Sequence, residues 1–294
     1  MELVRTLSPA LLTERWLREV GVDVGLQFES LTRIDHFRCA QTGLEWYVPA
    51  EAAGGSTFYR QLERFDWYYM PDKWEFRTAL AEISPGHQVL EVGSGVGHFL
   101  AAAHEKGIFP TGVELNSSAA KLARALGFVV HEEDIGSLAH RLGPTFDAVC
   151  CFQTLEHVPN PGEFLDGMLG TLRTGGKLIL SVPNAAVLRV VDPDYQNLLD
   201  QPPHHLSHWN EQVFLALEDW FPLKVSAARR EPLQSYHTRW LVTAFLRRPF
   251  GRRFGRLAFN RYTLAPLLWV LRRGPRRLFP GHSLLVICVK TEQA

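Results

Sequence analysis

Glu91 stands two residues before Gly93-Ser94-Gly95-Val96-Gly97, at the end of the short apolar run VLEV. Glycines in a strand-to-helix turn let the backbone reverse and approach a ligand closely, because no Cβ intrudes. A dinucleotide turn reads G-x-G-x-x-G and seats a pyrophosphate on the helix N-terminus. Here the pattern is E-x-G-x-G-x-G. A carboxylate aimed into the turn repels pyrophosphate and suits a cofactor that carries an ammonium group and a sulfonium charge. Glu114 ends the next apolar run, FPTGVEL. An acid there accepts hydrogen bonds from the two ribose hydroxyls of an adenosine. Several adenosine cofactors share that ribose, so Glu114 alone leaves the choice open. Asp134-Ile135 follows the third run, the acid suited to an adenine amino group and the isoleucine to the ring face.

These acids need strands to end where they stand. VLEV, FPTGVEL, FVVHEE, FDAVCCF and KLILSVP read as five strands. GHFLAAAHEKG, SSAAKLARALG and NPGEFLDGMLGTLRTGG lie between them as helices closed by glycine. Apolar runs alternating with helices predict βαβ units and a parallel sheet covered on both faces. Further on, LKVSAARRE (223–231) and HSLLVICVKT (282–291) read as a sixth and a seventh strand.

VLEVGSGVGHF, GVELN, EEDI, FDAVCCFQTLEHVPNP and LRTGGKLILSVPN resemble, in order, the motifs of class I S-adenosylmethionine-dependent methyltransferases. The resemblance covers residues 84–184 and, more loosely, the last strand. It implies an α/β fold: a doubly wound, mostly parallel seven-stranded Rossmann-like sheet, with the last strand antiparallel beside the sixth. It also implies S-adenosyl-L-methionine as cofactor. Carried over by position, Gly93, Ser94, Gly95 and Gly97 wrap its methionine part, with Glu91 near the amino group. Glu114 and Leu115 meet the ribose, and Asp134 and Ile135 the adenine. Phe152 and Gln153 pass beneath the cofactor toward the acceptor.

Methyl transfer is an in-line displacement, so alignment comes first and a base second. A hydroxyl or amine that must lose a proton calls for His, Asp or Glu within reach. Candidates cluster at Glu156-His157 and in PPHHLSHWN (202–210). His157, His204 and His205 are the catalytic candidates, against a plainer reading of His157 as a ring that pins its loop to backbone. His208 and Trp209 are expected to contact the acceptor, as are Tyr59 and Tyr69 from the aromatic stretch 58–76, closing over the site with Tyr68. No metal is expected, because H-H-x-x-H lacks a second carboxylate set at clear ligand spacing, although two histidines four apart on a helix can serve as ligands. FRCAQTGLEWYVP resembles a zinc-ribbon lead-in found in some sugar and small-molecule methyltransferases. Thr42 replaces its second cysteine, so a structural zinc is not expected either.

With 294 residues, 46% of them hydrophobic, the chain can bury a large core. Formal net charge is zero, so no whole-molecule attraction to nucleic acid is implied. Four scattered cysteines fit the reduced thiols of a cytoplasmic protein. Neither a secretory signal nor a membrane span is expected. The texture divides into an aromatic-rich cap (1–80), the core (81–235), an arginine-rich helical insert (236–280) and the last core strand (281–294). The insert holds eleven Arg and no Asp or Glu. Its Trp and Leu among basic flanks suit a helix lying on a membrane surface, an anionic or lipid-linked acceptor, or simple packing on the sheet. Nucleic acid is not expected as a partner, and the sequence leaves oligomeric state open. The reading is methyl transfer to a hydroxyl of a small molecule or glycan. A non-catalytic module that binds membranes or partners, and a nicotinamide-dependent oxidoreductase, are the alternatives.

Overall fold

The computed structural model describes residues 1–238, 241, 266, 269 and 278–292. Most of the expected helical insert (236–280) lies outside the described residues. Among the described residues no helix is long and apolar enough to cross a membrane.

Seven strands form the main sheet: β4 (Gln88–Val92), β5 (Phe109–Val113), β6 (Val129–His131), β7 (Phe146–Phe152), β8 (Leu172–Pro183), β10 (Leu223–Pro232) and β11 (Pro280–Lys290). Their order is β10-β11-β8-β7-β4-β5-β6. Every pair from β8 to β6 is parallel, and β11 runs antiparallel to both β8 and β10. The sheet has the seven strands expected, with the last one seated beside the sixth.

Side chains alternate faces along each strand. Leu90, Val92, Cys151 and Leu180 face Leu165 and Met168 of the helix Pro161–Thr171. Val89, Cys150, Phe152 and Ile179 face Phe76, Ala79 and Phe99 on the opposite side. The same alternation puts Glu91 on the Val89 face, buried with 3% exposure. LRTGG, expected as the end of a helix, is already strand. The helix stops at Thr171, Leu172 pairs with Phe146, and the ladder resumes at Lys177 opposite Ala148 after an irregularity.

The cap is more regular than its sequence predicts. β1 (Glu2–Leu7), β2 (Ile34–Arg38), β3 (Glu45–Val48) and β9 (Ser207–His208) make an antiparallel four-stranded sheet. β9 comes from the segment after β8, so the cap borrows its fourth strand from the core stretch of the sequence. Trp16, Ile34, Tyr47, Phe58, Leu62, Leu198 and Leu206 form the cap's own core, and the indole of Trp16 donates to Pro202 O at 3.0 Å.

Candidate active site

A cavity of about 1060 Å³ opens at the C-terminal ends of β4, β5 and β7, between the sheet and the cap. Ligands of open parallel sheets bind at this edge. Gly93, Ser94 and Gly95 line one end, with Glu91, Glu114, Leu115, Asp134, Ile135, Phe152 and Gln153 around them. Gly93 N and Ser94 N donate to Val113 O at 2.8 and 3.0 Å, which folds the turn over the tip of β5. Gly95 N donates to one Glu114 oxygen at 2.7 Å, and Asn116 N donates to the other at 2.8 Å. A Cβ on Gly95 would lie 2.9 Å from the Tyr69 ring, at a φ of +52° that only glycine adopts easily. The turn and Tyr69 therefore form a slot whose walls are bare backbone and an aromatic edge.

Two polar atoms in this half are buried without a partner: Glu91 Oε2 and Ser94 Oγ. Burial holds the Glu91 carboxyl well above the usual range, Lys73 pulls it down and Glu114 adds to the rise. Burial also raises Glu114, against the hydrogen bonds from Asn116 and Gly95. An ammonium would meet the unpartnered oxygen of Glu91, and a pair of hydroxyls the lone pairs that Glu114 has left after its two backbone hydrogen bonds. The residues thus fit S-adenosylmethionine, whose methionine end carries an ammonium and whose ribose carries a diol.

The other half is built by Tyr59, Glu156, His157, Asp200, His204 and His205. Glu156 is 1% exposed, and neither of its carboxylate oxygens has a partner. Burial pushes its pKa up to about 8. His157 Nδ1 faces His204 O, and its Nε2 lies 3.9 Å from Glu156 Oε1. Burial lowers His157 to about 4 and takes His204 and His205 well below the usual imidazole range. The three rings meet at centroid distances of 4.4 to 5.0 Å, and Tyr59 sits edge-on to His157 at 5.8 Å. The structure thus brings the three catalytic candidates together, and His157 also makes the backbone contact of the plainer reading.

Other candidates lie elsewhere. His208 and Trp209, expected to touch the acceptor, do not line the cavity. His208 Nδ1 faces Glu45 Oε2 at 3.2 Å and its Nε2 faces Asp200 O at 2.8 Å. Glu45 is a buried hub that also holds His36 at 3.1 Å, Tyr195 at 3.0 Å and Arg38 at 3.1 Å. Trp209 packs on Phe214 in the main core, its indole donating to Ser207 Oγ at 2.8 Å. The cause is strand pairing: Ser207 and His208 join β3, so the HHLSHW run is divided between cavity, cap and core. Gly97 also stands outside the cavity lining. A Cβ on it would lie 3.0 Å from Ala123 Cβ in the helix Ser117–Ala125, so its bare α-carbon serves helix packing. Asp134 lines the cavity, but its oxygens accept from Ser137 N at 2.9 Å and Ser137 Oγ at 2.6 Å as the cap of the helix Ile135–Leu142.

Sequence reasoning did not assign Lys73, Glu75, Asp200, Tyr236, His237, His282 or Ser283, all on the cavity wall. Glu75 accepts from Ser283 Oγ at 2.9 Å although 208 positions separate them. Only the alternation of β11, which turns Ser283 inward, carries any signal of that pairing.

Residues 67–224 match the methyltransferase domain family. The ubiquinone biosynthesis O-methyltransferase of Xanthomonas oryzae pv. oryzae is 31% identical over 169 residues, covering 51% of this chain and 70% of that protein. The protein of the same name from Xylella fastidiosa is 33% identical over 170 residues, covering 50% and 66%. In fold, a SAM-dependent methyltransferase from Archaeoglobus fulgidus superposes with a TM-score of 0.53 at 17% identity, over 79% of this chain and all of that one. With the glycine turn, its acids and the strand order in agreement, the chain belongs to the methyltransferase domain family, as a class I enzyme that uses S-adenosylmethionine.

Proposed function

We propose that the protein methylates a hydroxyl of a neutral small molecule, phenolic in the first instance. The observation that carries this is Glu156: a buried carboxylate with two unpartnered oxygens beside three uncharged imidazoles, across the cavity from the glycine turn. S-adenosylmethionine, when bound, supplies an electrophilic methyl on a sulfonium. Glu91, Ser94 and Glu114 would hold it, with Gly93 and Gly95 leaving room. Glu156, in its ionised form, would take the acceptor's proton, with His157 Nε2 beside it. Tyr59 closes the cap side of that space and excludes water, which favours a positioned acceptor over hydrolysis.

Charge supports a neutral acceptor. Among the described lining residues eight are Asp or Glu, and Lys73 alone is Lys or Arg. Among these residues a pyrophosphate-bearing sugar would meet more acidic groups than basic ones, which supports a neutral acceptor over the anionic one considered from sequence. A neutral sugar hydroxyl meets no such barrier and is the second reading. The relatives' printed name, O-methyltransferase, supports oxygen as the acceptor atom. Membrane contact through 236–280 rests on its Arg and Trp content, with His237 at its start and His282 just beyond its end on the cavity wall.

Calorimetry with S-adenosylhomocysteine, with NAD as control, tests the cofactor half. Mass spectrometry after incubation with S-adenosylmethionine and o-diphenols, neutral hexoses or nucleotide sugars tests the acceptor half. Binding without NAD competition and methylated diphenol are expected. Methylation of the nucleotide sugar alone would overturn the neutral-acceptor reading.

A further inference from the structure

The three imidazoles at the acceptor end are arranged for more than proton transfer. One nitrogen from each of His157, His204 and His205 lies within 4.8 Å of the others. Two of the rings place Nδ1 at hydrogen-bond distance from a backbone oxygen, and the third has a carboxylate near its Nδ1 without a hydrogen bond to it. His157 Nδ1 faces His204 O, His204 Nδ1 faces Leu199 O at 2.8 Å, and His205 Nδ1 lies 3.4 Å from Asp200 Oδ1. An imidazole that donates from Nδ1 keeps its lone pair on Nε2, the arrangement in which carbonyls and carboxylates orient metal-bound histidines. His204 and His205 are buried, and His157 is half-buried beside them. Glu156, 1% exposed and without a partner, stands 3.9 Å from His157 Nε2 and offers a further oxygen.

We propose that His157, His204 and His205 form a binding site for one divalent transition-metal ion of zinc-like preference. Three neutral nitrogens with one carboxylate in reach suit such an ion better than magnesium or calcium, which take oxygen ligands. Tetrahedral zinc with bonds of 2.0–2.1 Å sets its nitrogens about 3.4 Å apart, so the rings close inward on the ion. A second trio, His36, Glu45 and His208, has comparable spacing but opposite electrostatics. Arg38 lies 3.1 Å and Arg189 3.7 Å from the Glu45 carboxylate, so cations already occupy the space a metal would need. The site itself stands on the geometry of the rings. On the function proposed above, which this part alone rests on, the ion would receive the acceptor oxygen and make its proton easier to lose.

The test uses the full chain stripped of metal by chelation and titrated with Co2+ alone, then with Zn2+ in competition. The expected result is visible absorption saturating at one Co2+ per chain, abolished by one equivalent of Zn2+. His204→Gln and His205→Gln should each weaken binding by about tenfold or more, while His140→Ala, at an exposed position, should leave it unchanged. Two results overturn the proposal: no saturable absorption from the folded wild-type chain, or saturable absorption that both folded glutamine variants retain. The wild-type titration decides the matter even where the variants do not fold. S-adenosylhomocysteine calorimetry on the same preparation separates loss of the metal site from failure of the methyltransferase reading.

Discussion

Glu91→Gln should make the cofactor-free protein more stable and the cofactor weaker. Glu91 is buried with one oxygen unpartnered, and burial raises its pKa in the folded state well above 4.5. The unfolded chain releases that proton near 4.5, while the folded protein keeps it to higher pH. Across that interval the native state holds one more proton than the unfolded state, so stability falls as pH rises. One proton corresponds to about 1.4 kcal/mol per pH unit, and this is the expected difference in slope between wild type and variant from about pH 5 upward. Glutamine has no charge to bury and should remove that share of the fall. Binding runs the other way. A carboxylate facing an ammonium in a buried site is worth about 1.5–3 kcal/mol, so affinity for S-adenosylhomocysteine should drop roughly 10- to 150-fold. Wild type should also release a proton on binding where Glu91 begins protonated, and the variant should not. Urea melts across pH, with calorimetry in two buffers of different ionisation enthalpy, measure both arms. A variant that binds as tightly as wild type, or whose stability falls with pH as steeply, would refute the role given to Glu91.

Three further outcomes are expected. Gly97→Ala, with φ at +89° and its Cβ against Ala123, should lower stability by about 1–2 kcal/mol without changing S-adenosylhomocysteine affinity, whereas Gly95→Ala, with its Cβ against Tyr69, should weaken binding by about tenfold or more; paired melts and titrations compare them. Glu156→Gln should lower kcat by about 100-fold or more with cofactor affinity within about twofold, read from steady-state rates and calorimetry. Glu231, raised to about 7 by burial and by Glu75, should make stability fall between about pH 4.5 and 7 by up to about 3 kcal/mol; thermal melts of Glu231→Gln should lose that share of the fall, since the amide oxygen still accepts from His282 N and Ser283 N.

The main sheet was legible because its strands are apolar runs such as FDAVCCF, buried on both faces and separated by helices. The cap sheet was not. β1 is largely exposed, β3 has four residues and β9 two, too few for alternation to register. The three acids proposed for the cofactor could be placed near strand ends from the sequence. Glu91 is the penultimate residue of β4, Glu114 directly follows β5 and Asp134 comes soon after β6. Glu156 was visible as half of an EH pair, but its character comes from burial, and burial depends on a cap folded from residues far away in sequence. PPHHLSHW misled for a related reason. Its histidines look like one group, yet the partner that removes His208 from the cavity, Glu45, lies 163 positions earlier. The charges on the cavity wall were hidden in the same way, since Glu75 and Asp200 are unremarkable until the fold faces them inward.

The borrowed strand β9 has a consequence for descent. Residues 1–80 cannot be exchanged as a module, because the sheet they build is completed by Ser207 and His208 and its core includes Leu198 and Leu206. The two residues just before Leu206, His204 and His205, line the cavity. A lineage that replaced its cap to admit a new acceptor would have to rewrite the stretch after β8 in the same steps. Acceptor preference should therefore be inherited as a linked pair of segments, and chimaeras joined near residue 80 should fail unless residues 195–210 travel with the cap.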